Sequence, residues 1–324
     1  MKPPSNPASG ILLVDKPNGL TSHDVVARTR KLAGTRKIGH AGTLDPMATG
    51  LLVLGMNSST RLLTFIVGLG KEYTATIRLG QTSDTDDAEG DLGAAVDTSP
   101  VTDAAIAAGV ARLTGEISQV PSTFSAIKVD GKRAYALARA GEEVELKSRT
   151  VTISAFDILE IRRGASADEG IHGGFIDIDV RVECSSGTYI RALARDLGAD
   201  LGVGGHLTVL RRTKVGPFDI ADAATLENLV VNDALASPAS VATTLFPSHT
   251  LSGQDVVDLV HGKRLTVAAP QNAALENVAG PIAGLGPDGR LVGLLGVVRV
   301  ADEGTVIKAL VNFPTDEVLP EVAP

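Results

Sequence analysis

Two stretches of the sequence alternate between apolar and polar residues. The first, KEYTATIRLG at 71–80, places Tyr73 and three aliphatic residues on one side and polar residues on the other. The second, FIDIDVRVEC at 175–184, repeats this pattern. Because successive side chains of a strand point to opposite faces, the alternation predicts two strands that are each buried on one face.

The helical signals lie between such strands. Ser22 is a candidate N-cap for a helix that runs to about Leu32 and ends at Gly34. An Ala-rich segment at 103–113 and the segment that follows Gly187 also have helical composition. Strands and helices do not alternate regularly, so we predict an α+β fold with a mixed, largely antiparallel central sheet.

Changes in composition divide the chain. Residues 82–101 are acidic and rich in turn residues, which predicts a surface connector. Residues 121–149 are basic, and we interpret them as an insertion within a domain of residues 1–247. After Pro247, a short helix, a hairpin around Gly-Pro-Asp-Gly and one more strand predict a small β-rich domain at 248–324.

The formal net charge of −8 is unevenly distributed along the chain. Residues 1–82 contain ten Lys and Arg against four Asp and Glu, whereas residues 218–324 contain five against thirteen. A polyanion such as RNA would therefore meet the N-terminal part and local basic clusters, one of which contains Lys128, Lys132 and Arg133. An ordinary solvated surface explains the same charges, and on charge alone it is the better interpretation.

Several classes of protein are disfavoured by what the sequence lacks. The single Cys184 provides neither a disulfide framework nor a cysteine-based zinc site, and the six His form no HExxH motif. No GxxxxGK[ST] phosphate loop occurs. No apolar run reaches the roughly 18 residues that a membrane helix needs, and MKPPSNPASG at the N-terminus lacks the apolar segment of a signal peptide. We therefore expect a cytoplasmic protein that uses no metal, no cofactor and no membrane.

The segment GHAGTLDPMATG at 39–50 places three glycines around one carboxylate, Asp45. An Asp before Pro46 is typical of a helix N-cap with Pro at the first helical position, and this structural interpretation is the more common one. In the functional interpretation, the glycines leave room for the backbone of another molecule, and the acid acts as a nucleophile or a base.

Four other residues also have a structural and a functional interpretation. Arg191 could hold a carboxylate ionised and oriented through its planar guanidinium, although a surface Arg on a helix is the more common case. Tyr73 faces inward on its strand, either as a core residue or as a phenol that acts as an acid or a base. His40 and Lys16 stand in loop and turn sequences, where solvated side chains are common. None of the four is specific by itself.

Five blocks of sequence are far more specific when they are taken together. The blocks are VDKPNGLTS, KIGHAGTLDPMATGLL, KEYTATIRLGQTSDTDD, VPSTFSAIKVDGKRAY, and CSSGTYIRALARDLG followed by HLTVLRRTKVG. Their order and spacing resemble those of the TruB family of bacterial tRNA pseudouridine-55 synthases, in an actinobacterial-like form, over residues 10 to about 217. Phe124 departs from the pattern, because the family often has Tyr at this position.

The resemblance implies a pseudouridine synthase fold with a PUA-like C-terminal domain. It implies an isomerase that acts on one uridine in the T-loop of tRNA. The uridine is flipped out of the RNA, the bond between N1 and C1′ is broken, and C5 is joined to C1′. The family uses neither a metal nor a cofactor. The implied partner is the T-arm stem-loop of tRNA, without a guide RNA, and we expect a monomer.

The resemblance also implies residue roles. Asp45 matches the catalytic Asp, with a pKa expected at about 3.9, and Arg191 matches the Arg that holds it. Tyr73 matches the Tyr that stacks on the uracil and helps to remove the C5 proton. His40 matches a residue that fills the gap left by flipped nucleotides. The other implied substrate contacts are Lys16, Tyr189, Leu210, Lys128, Lys132 and Arg133, the last three in the insertion that clamps the RNA.

The chemical role of Asp45 and the class of protein each have alternatives. Asp45 could attack C1′, attack C6 or remove the C2′ proton, and we prefer the last of these. A guide-RNA-dependent synthase is disfavoured by the basic insertion at 121–149, which guided relatives lack. A non-catalytic RNA-binding or tRNA-folding protein is disfavoured because Asp45, Tyr73 and Arg191 are all present, although a folding role is compatible with catalysis.

Overall fold

The structure is a computed structural model, and it leaves the predicted insertion largely undescribed. The prediction for 121–149 and the departure at Phe124 therefore lie mostly outside the described residues. The structure describes residues 8–123, 128–129, 132–133, 146–164, 174–268, 278–301 and 304–314.

The strands of the described residues form two sheets and a separate two-stranded hairpin. In chain order they are β1 (Gly10–Lys16), β2 (Ile38–Ala41), β3 (Thr49–Met56), β4 (Lys71–Leu79), β5 (Gly115–Gln119), β6 (Lys128–Val129), β7 (Lys132–Arg133), β8 (Arg149–Gly164), β9 (Phe175–Cys184), β10 (Gly205–Val215), β11 (Phe218–Asp219), β12 (Ala224–Thr225), β13 (Ser248–Thr250), β14 (Leu265–Val267), β15 (Ile282–Leu285), β16 (Leu291–Ala301) and β17 (Gly304–Asn312).

The helices are short and lie between these strands. They are α1 (Ser22–Ala33), α2 (Leu63–Ile66), α3 (Asp103–Arg112), α4 (Ile190–Asp200), α5 (Val231–Ala234), α6 (Pro238–Leu245) and α7 (Gly253–Val260), with 3-10 turns at Asn57–Arg61 and Ile220–Asp222.

Ten strands form the central sheet. Its strand order is β12-β1-β3-β10-β4-β9-β8-β5, with β2 added beside β3 and β11 beside β10. The pairs β1–β12 and β3–β10 are parallel, and the long pairs β4–β9, β4–β10 and β8–β9 are antiparallel. The predicted α+β fold with a mixed, largely antiparallel sheet is therefore confirmed.

The two alternating stretches form neighbouring central strands. Tyr73 and the other inward residues of β4 are buried, and β9 repeats the pattern from Ile176 to Cys184. These side chains pack into one apolar core with Leu193 and Leu197 of α4. The alternation therefore fixes which residues of β4 face α4, and this packing positions the start of that helix.

The first helix is capped one residue earlier than predicted. Thr21, not Ser22, is the N-cap: its hydroxyl accepts from the backbone N–H of Asp24, and the Asp24 carboxylate accepts from the N–H of Thr21. Ser22 is buried at the first helical position, where its hydroxyl donates to the carbonyl of Leu44 and accepts from the Leu44 N–H. The start of α1 is thereby tied to the residue before Asp45.

The second sheet lies at the C-terminal end and confirms the predicted β-rich part. Its order is β13-β15-β16-β17-β14. It has a small apolar core of its own, and it also shares a core with the central domain, where Leu294 and Phe313 pack in one cluster with Ile11 and Leu62. The second sheet is thus docked through apolar packing. The boundary at 247–248 remains a prediction.

Candidate active site

A cavity of about 270 Å³ lies beside the loop between β2 and β3. The loop, the inward faces of β4 and β10, and the segment that enters α4 supply most of its lining. The cavity brings together five residues predicted from the sequence, and two residues that were not predicted, Lys71 and Arg212, also line it. The five predicted lining residues are Asp45, Tyr73, Tyr189, Arg191 and Leu210.

Asp45 lies in an irregular loop. No helix occurs between β2 and β3, so the interpretation of Asp45 as a helix N-cap is wrong. The loop is fixed at the next residue, because the Pro46 carbonyl accepts from the Gly19 N–H at 2.9 Å and from the Lys16 ammonium at 3.1 Å. The side chain of Asp45 is 36% exposed at the cavity. Helix capping does not explain why an Asp stands here.

The glycines around Asp45 serve contacts within the chain. Gly42 and Gly50 have positive φ angles of 89° and 102°, a conformation that glycine adopts without strain. A Cβ on Gly50 would collide with the backbone of Arg212, and one on Gly39 would lie 3.2 Å from the Leu63 side chain. These contacts do not support the prediction that the glycines leave room for another molecule.

Arg191 connects two carboxylates at the start of α4. Its Nη2 lies 3.1 Å from Oδ2 of Asp45, and its Nη1 lies 3.2 Å from Oδ2 of Asp87. Nη1 also donates to the Thr85 carbonyl at 2.7 Å. The side chains of Arg191 and Asp87 are each 4% exposed, so the guanidinium is held on several sides. The structure brings Arg191 to Asp45, as the sequence predicted.

Asp87 is a site residue that the sequence reasoning missed. The prediction of a surface connector at 82–101 is wrong for Asp86 and Asp87, which are both buried. Asp86 has a φ of +62°, and the two carboxylates reach different partners: Asp86 lies 3.2 Å from Arg195, and Asp87 pairs with Arg191. One sequence pattern could have indicated these pairs. Asp86 and Asp87 are adjacent, and Arg191 and Arg195 stand four residues apart, which places both Arg on the same face of a helix.

The environment of Asp45 changes its proton affinity. Desolvation raises the pKa of Asp45 above its ordinary value, the Arg191 guanidinium opposes this, and the Asp87 carboxylate adds to it. The sequence analysis expected an ordinary pKa for Asp45. That expectation is wrong, because the pKa of Asp45 is raised. A carboxylate with a raised pKa is a stronger base, and in this cavity its ionised form is stabilised by Arg191.

Tyr73 lies on β4 directly opposite Arg212 of β10. Burial raises the pKa of the Tyr73 phenol, while the Arg212 guanidinium opposes this through its charge and a hydrogen bond. Arg212 is fully buried, and its Nε and Nη2 donate to the carbonyls of Leu51 at 2.8 Å and Gly42 at 3.0 Å. Arg212 therefore connects Tyr73 to the loop that carries Asp45.

Lys71 is a second buried cation at the cavity. Its ammonium donates to the carbonyls of Val67 at 2.7 Å and Leu69 at 2.6 Å, and to the hydroxyl of Ser186 at 3.2 Å. Desolvation and, to a smaller extent, the charge of Arg212 lower the pKa of Lys71 to about 8. Lys71 shares the inward phase of Tyr73, which was the signal that could have revealed it.

Lys16 does not fit its predicted role as a substrate contact. The residue is fully buried, and its ammonium donates to the carbonyls of Pro17, Leu20 and Pro46 at 3.0, 2.5 and 3.1 Å. Desolvation lowers the pKa of Lys16 to about 8. We correct its assignment to a residue that holds the Asp45 loop.

The other predicted contacts differ in position. Leu210 is buried and lines the cavity beside Tyr73. Tyr189 also lines it, and the Tyr189 backbone N–H donates to Gln119 Oε1 at 2.8 Å. His40 lies on β2 outside the cavity lining, half-buried, with its ring 5.6 Å from that of His23. Burial lowers the pKa of His40.

The predicted RNA clamp is described only in part. Lys128, Lys132 and Arg133 lie in the antiparallel hairpin β6–β7, and their side chains lie outside what the structure describes. Their predicted contacts with RNA remain predictions.

Within the described ranges of the chain, no helix is both long enough and apolar enough to cross a membrane. The same ranges contain no group of three or more His, Cys, Asp or Glu that could hold a metal ion.

Two family models match adjacent parts of the chain. The model of the TruB family pseudouridylate synthase N-terminal domain matches residues 30–190. The model of the tRNA pseudouridylate synthase B C-terminal domain matches residues 191–244. Together they contain every residue that lines the cavity.

Curated relatives match over nearly the whole chain. The tRNA pseudouridine synthase B of Leifsonia xyli is 56% identical over 313 residues, which cover 96% of this chain and 98% of the relative. The protein of the same name from Thermobifida fusca is 52% identical and covers 89% of this chain and 94% of the relative.

Solved structures with the same fold include chains of two larger assemblies. A chain of a Cbf5–Nop10–Gar1 complex has a TM-score of 0.68 and 27% identity, covering 95% of this chain and 86% of that one. A chain of an H/ACA RNP bound to a substrate RNA that contains 2′-deoxyuridine has a TM-score of 0.67 and 26% identity, with coverage of 95% and 86%.

Proposed function

The chain belongs to the TruB family of tRNA pseudouridine synthases, which are isomerases, and on this premise we propose that it converts uridine 55 in the T-loop of tRNA to pseudouridine. The observation that supports this most strongly is the ion pair of Asp45 and Arg191 at the edge of a cavity that Tyr73 also lines. A cavity of about 270 Å³ has room for a nucleobase, and not for a stacked helix. The target uridine therefore has to leave its stack and enter the cavity.

In the proposed complex, the flipped uracil lies between Tyr73 and Leu210. A phenol ring and an aliphatic side chain provide apolar surfaces for the two faces of a planar base. The two residues stand on the neighbouring strands β4 and β10, and both are buried. Tyr189 contributes a third side of the pocket. His40, on β2 beside His23, occupies the space that the flipped nucleotide leaves in the RNA.

Asp45 performs the acid–base step of the proposed mechanism. Its ionised carboxylate removes the C2′ proton of the ribose as the bond between N1 and C1′ breaks. Arg191 holds the carboxylate through Oδ2 at 3.1 Å, which fixes its orientation. The raised pKa of Asp45 makes the carboxylate a better base than an ordinary Asp. Attack of the same carboxylate on C1′ or C6 is the alternative route.

The partner in this proposal is the T-arm stem-loop of tRNA, bound without a guide RNA by a single copy of the chain. The insertion at 121–149 closes over the RNA and supplies basic side chains. The PUA-like C-terminal domain, proposed to begin at residue 248, is fixed to the central domain by the shared core around Leu294 and Phe313, so it presents a rigid surface rather than a mobile one.

The solved structures bear on one competing function, a synthase that needs a guide RNA and protein partners, because one of the assemblies is an RNP bound to a substrate RNA and the other is a Cbf5–Nop10–Gar1 complex. The identity to those chains is 26–27%, against 56% to the tRNA pseudouridine synthase B of Leifsonia xyli. We therefore favour the stand-alone activity on tRNA.

One experiment separates these functions. The pure protein is incubated, without guide RNA, with an unmodified T-arm stem-loop, and pseudouridine is mapped by carbodiimide treatment and primer extension. The proposal expects one stop at the T-loop uridine, and no stop with the Asp45→Asn variant. Modification that appears only after a guide RNA is added would support the competing function.

A further inference from the structure

Lys71 and Arg212, which we call the cation pair, are the two charged residues of the cavity lining that the proposed mechanism has not used. Both side chains are buried on the inward face of the central sheet. Lys71 stands two residues before Tyr73 on β4, and Arg212 stands directly opposite Tyr73 on β10. The register of one strand pair therefore places two positive charges around the ring proposed to stack on the uracil.

The partners of the cation pair are neutral. Lys71 donates to two carbonyls and to the Ser186 hydroxyl. Arg212 donates to the carbonyls of Leu51, Gly42 and Thr43, and to the Tyr73 phenol. Burial of a charge is costly, and dipoles of neutral groups offset this cost without cancelling the charge. The base end of the cavity thus keeps two positive charges.

The surroundings of Lys71 disfavour its charged form in the unbound protein. Desolvation and the charge of Arg212 lower its pKa, and the Cys184 thiol on the facing strand β9 acts in the opposite direction. An anion in the cavity would stabilise both cations. The pair is therefore an incomplete electrostatic arrangement that an anionic group would complete.

We propose that the cation pair stabilises the uracil base as an anion after the bond between N1 and C1′ has broken. This inference rests on the proposed function. Cleavage leaves the electron pair of that bond on N1, and the negative charge spreads onto O2 and O4 of the uracil. Protonated Asp45 returns the proton to C2′ as the anion forms the bond between C5 and C1′. C5 then loses a proton and N1 gains one, so the product is an isomer of the substrate and no other reagent is consumed.

Lys71 acts mainly through its charge. Its three N–H groups already have oxygen partners, so it has no donor left for a direct bond to the base. In a cavity from which water is excluded, a fixed positive charge stabilises developing negative charge without reorganisation. The contribution of Lys71 to the reaction rate should therefore be larger when the base carries more negative charge in the transition state.

Substrate electronics test this role. Fluorine at C5 withdraws electron density, so 5-fluorouracil leaves as a more stable anion and depends less on the cation pair. Single-turnover rates are measured on T-arm stem-loops that carry uridine or 5-fluorouridine at the target, as loss of the target nucleoside by HPLC of the digested RNA. C5 of 5-fluorouridine carries fluorine and no proton, so its reaction stops at the C5-linked fluoro product, but loss of the nucleoside reports cleavage of the bond between N1 and C1′ for both substrates. For Lys71→Gln we expect about a tenfold lower rate with uridine, a clearly smaller loss with 5-fluorouridine, and unchanged RNA binding.

Matched variants complete the experiment. Lys71→Arg keeps the charge and should retain most of the rate. Lys214→Gln removes a half-exposed Lys on β10 and should behave like the wild type on both substrates. If Lys71→Gln does not fold, Lys71→Met replaces it, because apolar replacement of a buried charge is often tolerated.

The outcomes are distinct. An equal loss on both substrates with native binding would show that Lys71 has only a structural role and would overturn the inference. An equal loss with weaker RNA binding would show that the pair holds a phosphate, and would overturn it too. A wild-type protein that converts neither substrate would instead contradict the proposed function.

Discussion

Two groups of charges lie at one cavity, whose lining contains all of them except Asp87, and the two groups differ in how their charges are paired. In the carboxylate cluster, formed by Asp45, Asp87 and Arg191, every charge has a partner of opposite sign, at 3.1 and 3.2 Å. In the cation pair, formed by Lys71 and Arg212, the partners are neutral oxygens. The first group carries one net negative charge and the second carries two positive charges.

This difference corresponds to the two halves of a nucleotide. A carboxylate that is held by Arg191 and has a raised pKa suits the removal of a proton from the ribose. Positive charges without carboxylate partners suit a base that departs with an electron pair. The carboxylate cluster and the cation pair are thus in place before the substrate binds. Substitutions in one group should therefore affect the reaction differently from substitutions in the other.

The largest effect is expected for Asp45→Asn. The amide has nearly the same size but cannot act as a base or a nucleophile, so single-turnover pseudouridine formation should fall to background. RNA binding should survive. Because burial raises the pKa of Asp45, its ionised form costs stability at neutral pH, and the melting temperature should not fall. Turnover near the wild-type rate would remove Asp45 from the mechanism.

Arg191→Lys comes next. Lysine keeps one positive charge but loses the planar guanidinium that reaches Asp45 and Asp87 together. We expect about a hundredfold slower single turnover, an effect similar in size to the loss of one preorganised donor, with little change in RNA affinity. A loss of affinity as large as the loss of rate would show that Arg191 binds RNA rather than orienting Asp45.

Asp87→Asn should have a smaller effect on rate. It removes one of the two carboxylates that hold Arg191, and it leaves the hydrogen bond to the Thr85 carbonyl in place. We expect about a tenfold loss of rate, and the acidic limb of the pH–rate profile should move to lower pH, because Asp87 raises the pKa of Asp45. Asp86→Asn is the control, since its partner is Arg195. An acidic limb at the same pH as in the wild type would show that Asp87 does not affect the pKa of Asp45.

The last effect is on the pH dependence of protein stability, and no change in rate is involved. The pKa of Lys71 is about 8 in the folded protein and 10.5 in its ordinary environment. Between these values the unfolded chain binds a proton that the folded chain has lost, so Lys71 makes stability rise with pH. Chemical denaturation at pH 8 and pH 10 should show a smaller rise for Lys71→Met than for the wild type, by on the order of 2 kcal/mol.

The buried Lys16 is the same in both proteins, so its titration cancels in this comparison. Cys184 does not cancel fully, because the charge of Lys71 lowers the pKa of the thiol and Lys71→Met removes that charge. Burial raises the pKa of Cys184 to about 11, which acts against the effect of Lys71 over the same range. Identical pH dependence in Lys71→Met and the wild type would mean that Lys71 is solvated in solution.

The carboxylate cluster was partly predictable from sequence. Asp45 and Arg191 stand in specific motifs, and the alternation of β4 correctly placed Tyr73 inward. Asp87 was missed because an acidic, turn-rich segment is normally solvated. It is buried here because the segment folds back over α4, with Asp86 in the left-handed region. No local pattern specifies that return.

The cation pair was missed for a different reason. Composition treats a Lys or an Arg in a strand as an exposed residue, and only the register between β4 and β10 brings Arg212 opposite Tyr73. The same limitation affected Lys16, whose ammonium is held by two carbonyls of the turn that follows it and by the distant carbonyl of Pro46. Register and loop closure are tertiary properties, so single-sequence reasoning identified the motif residues and not the charges packed around them.

The most direct test of the separation between the two groups is one ratio, the single-turnover rate on 5-fluorouridine RNA divided by the rate on uridine RNA. It is measured for the wild type, Lys71→Gln and Arg191→Lys under the same conditions. The account predicts that the ratio rises in Lys71→Gln, where the leaving base has lost its stabilising charge, and stays at the wild-type value in Arg191→Lys, where the step at the ribose is affected. The same ratio in all three proteins, or a rise in Arg191→Lys alone, would contradict the assignment of the two groups to the two halves of the nucleotide.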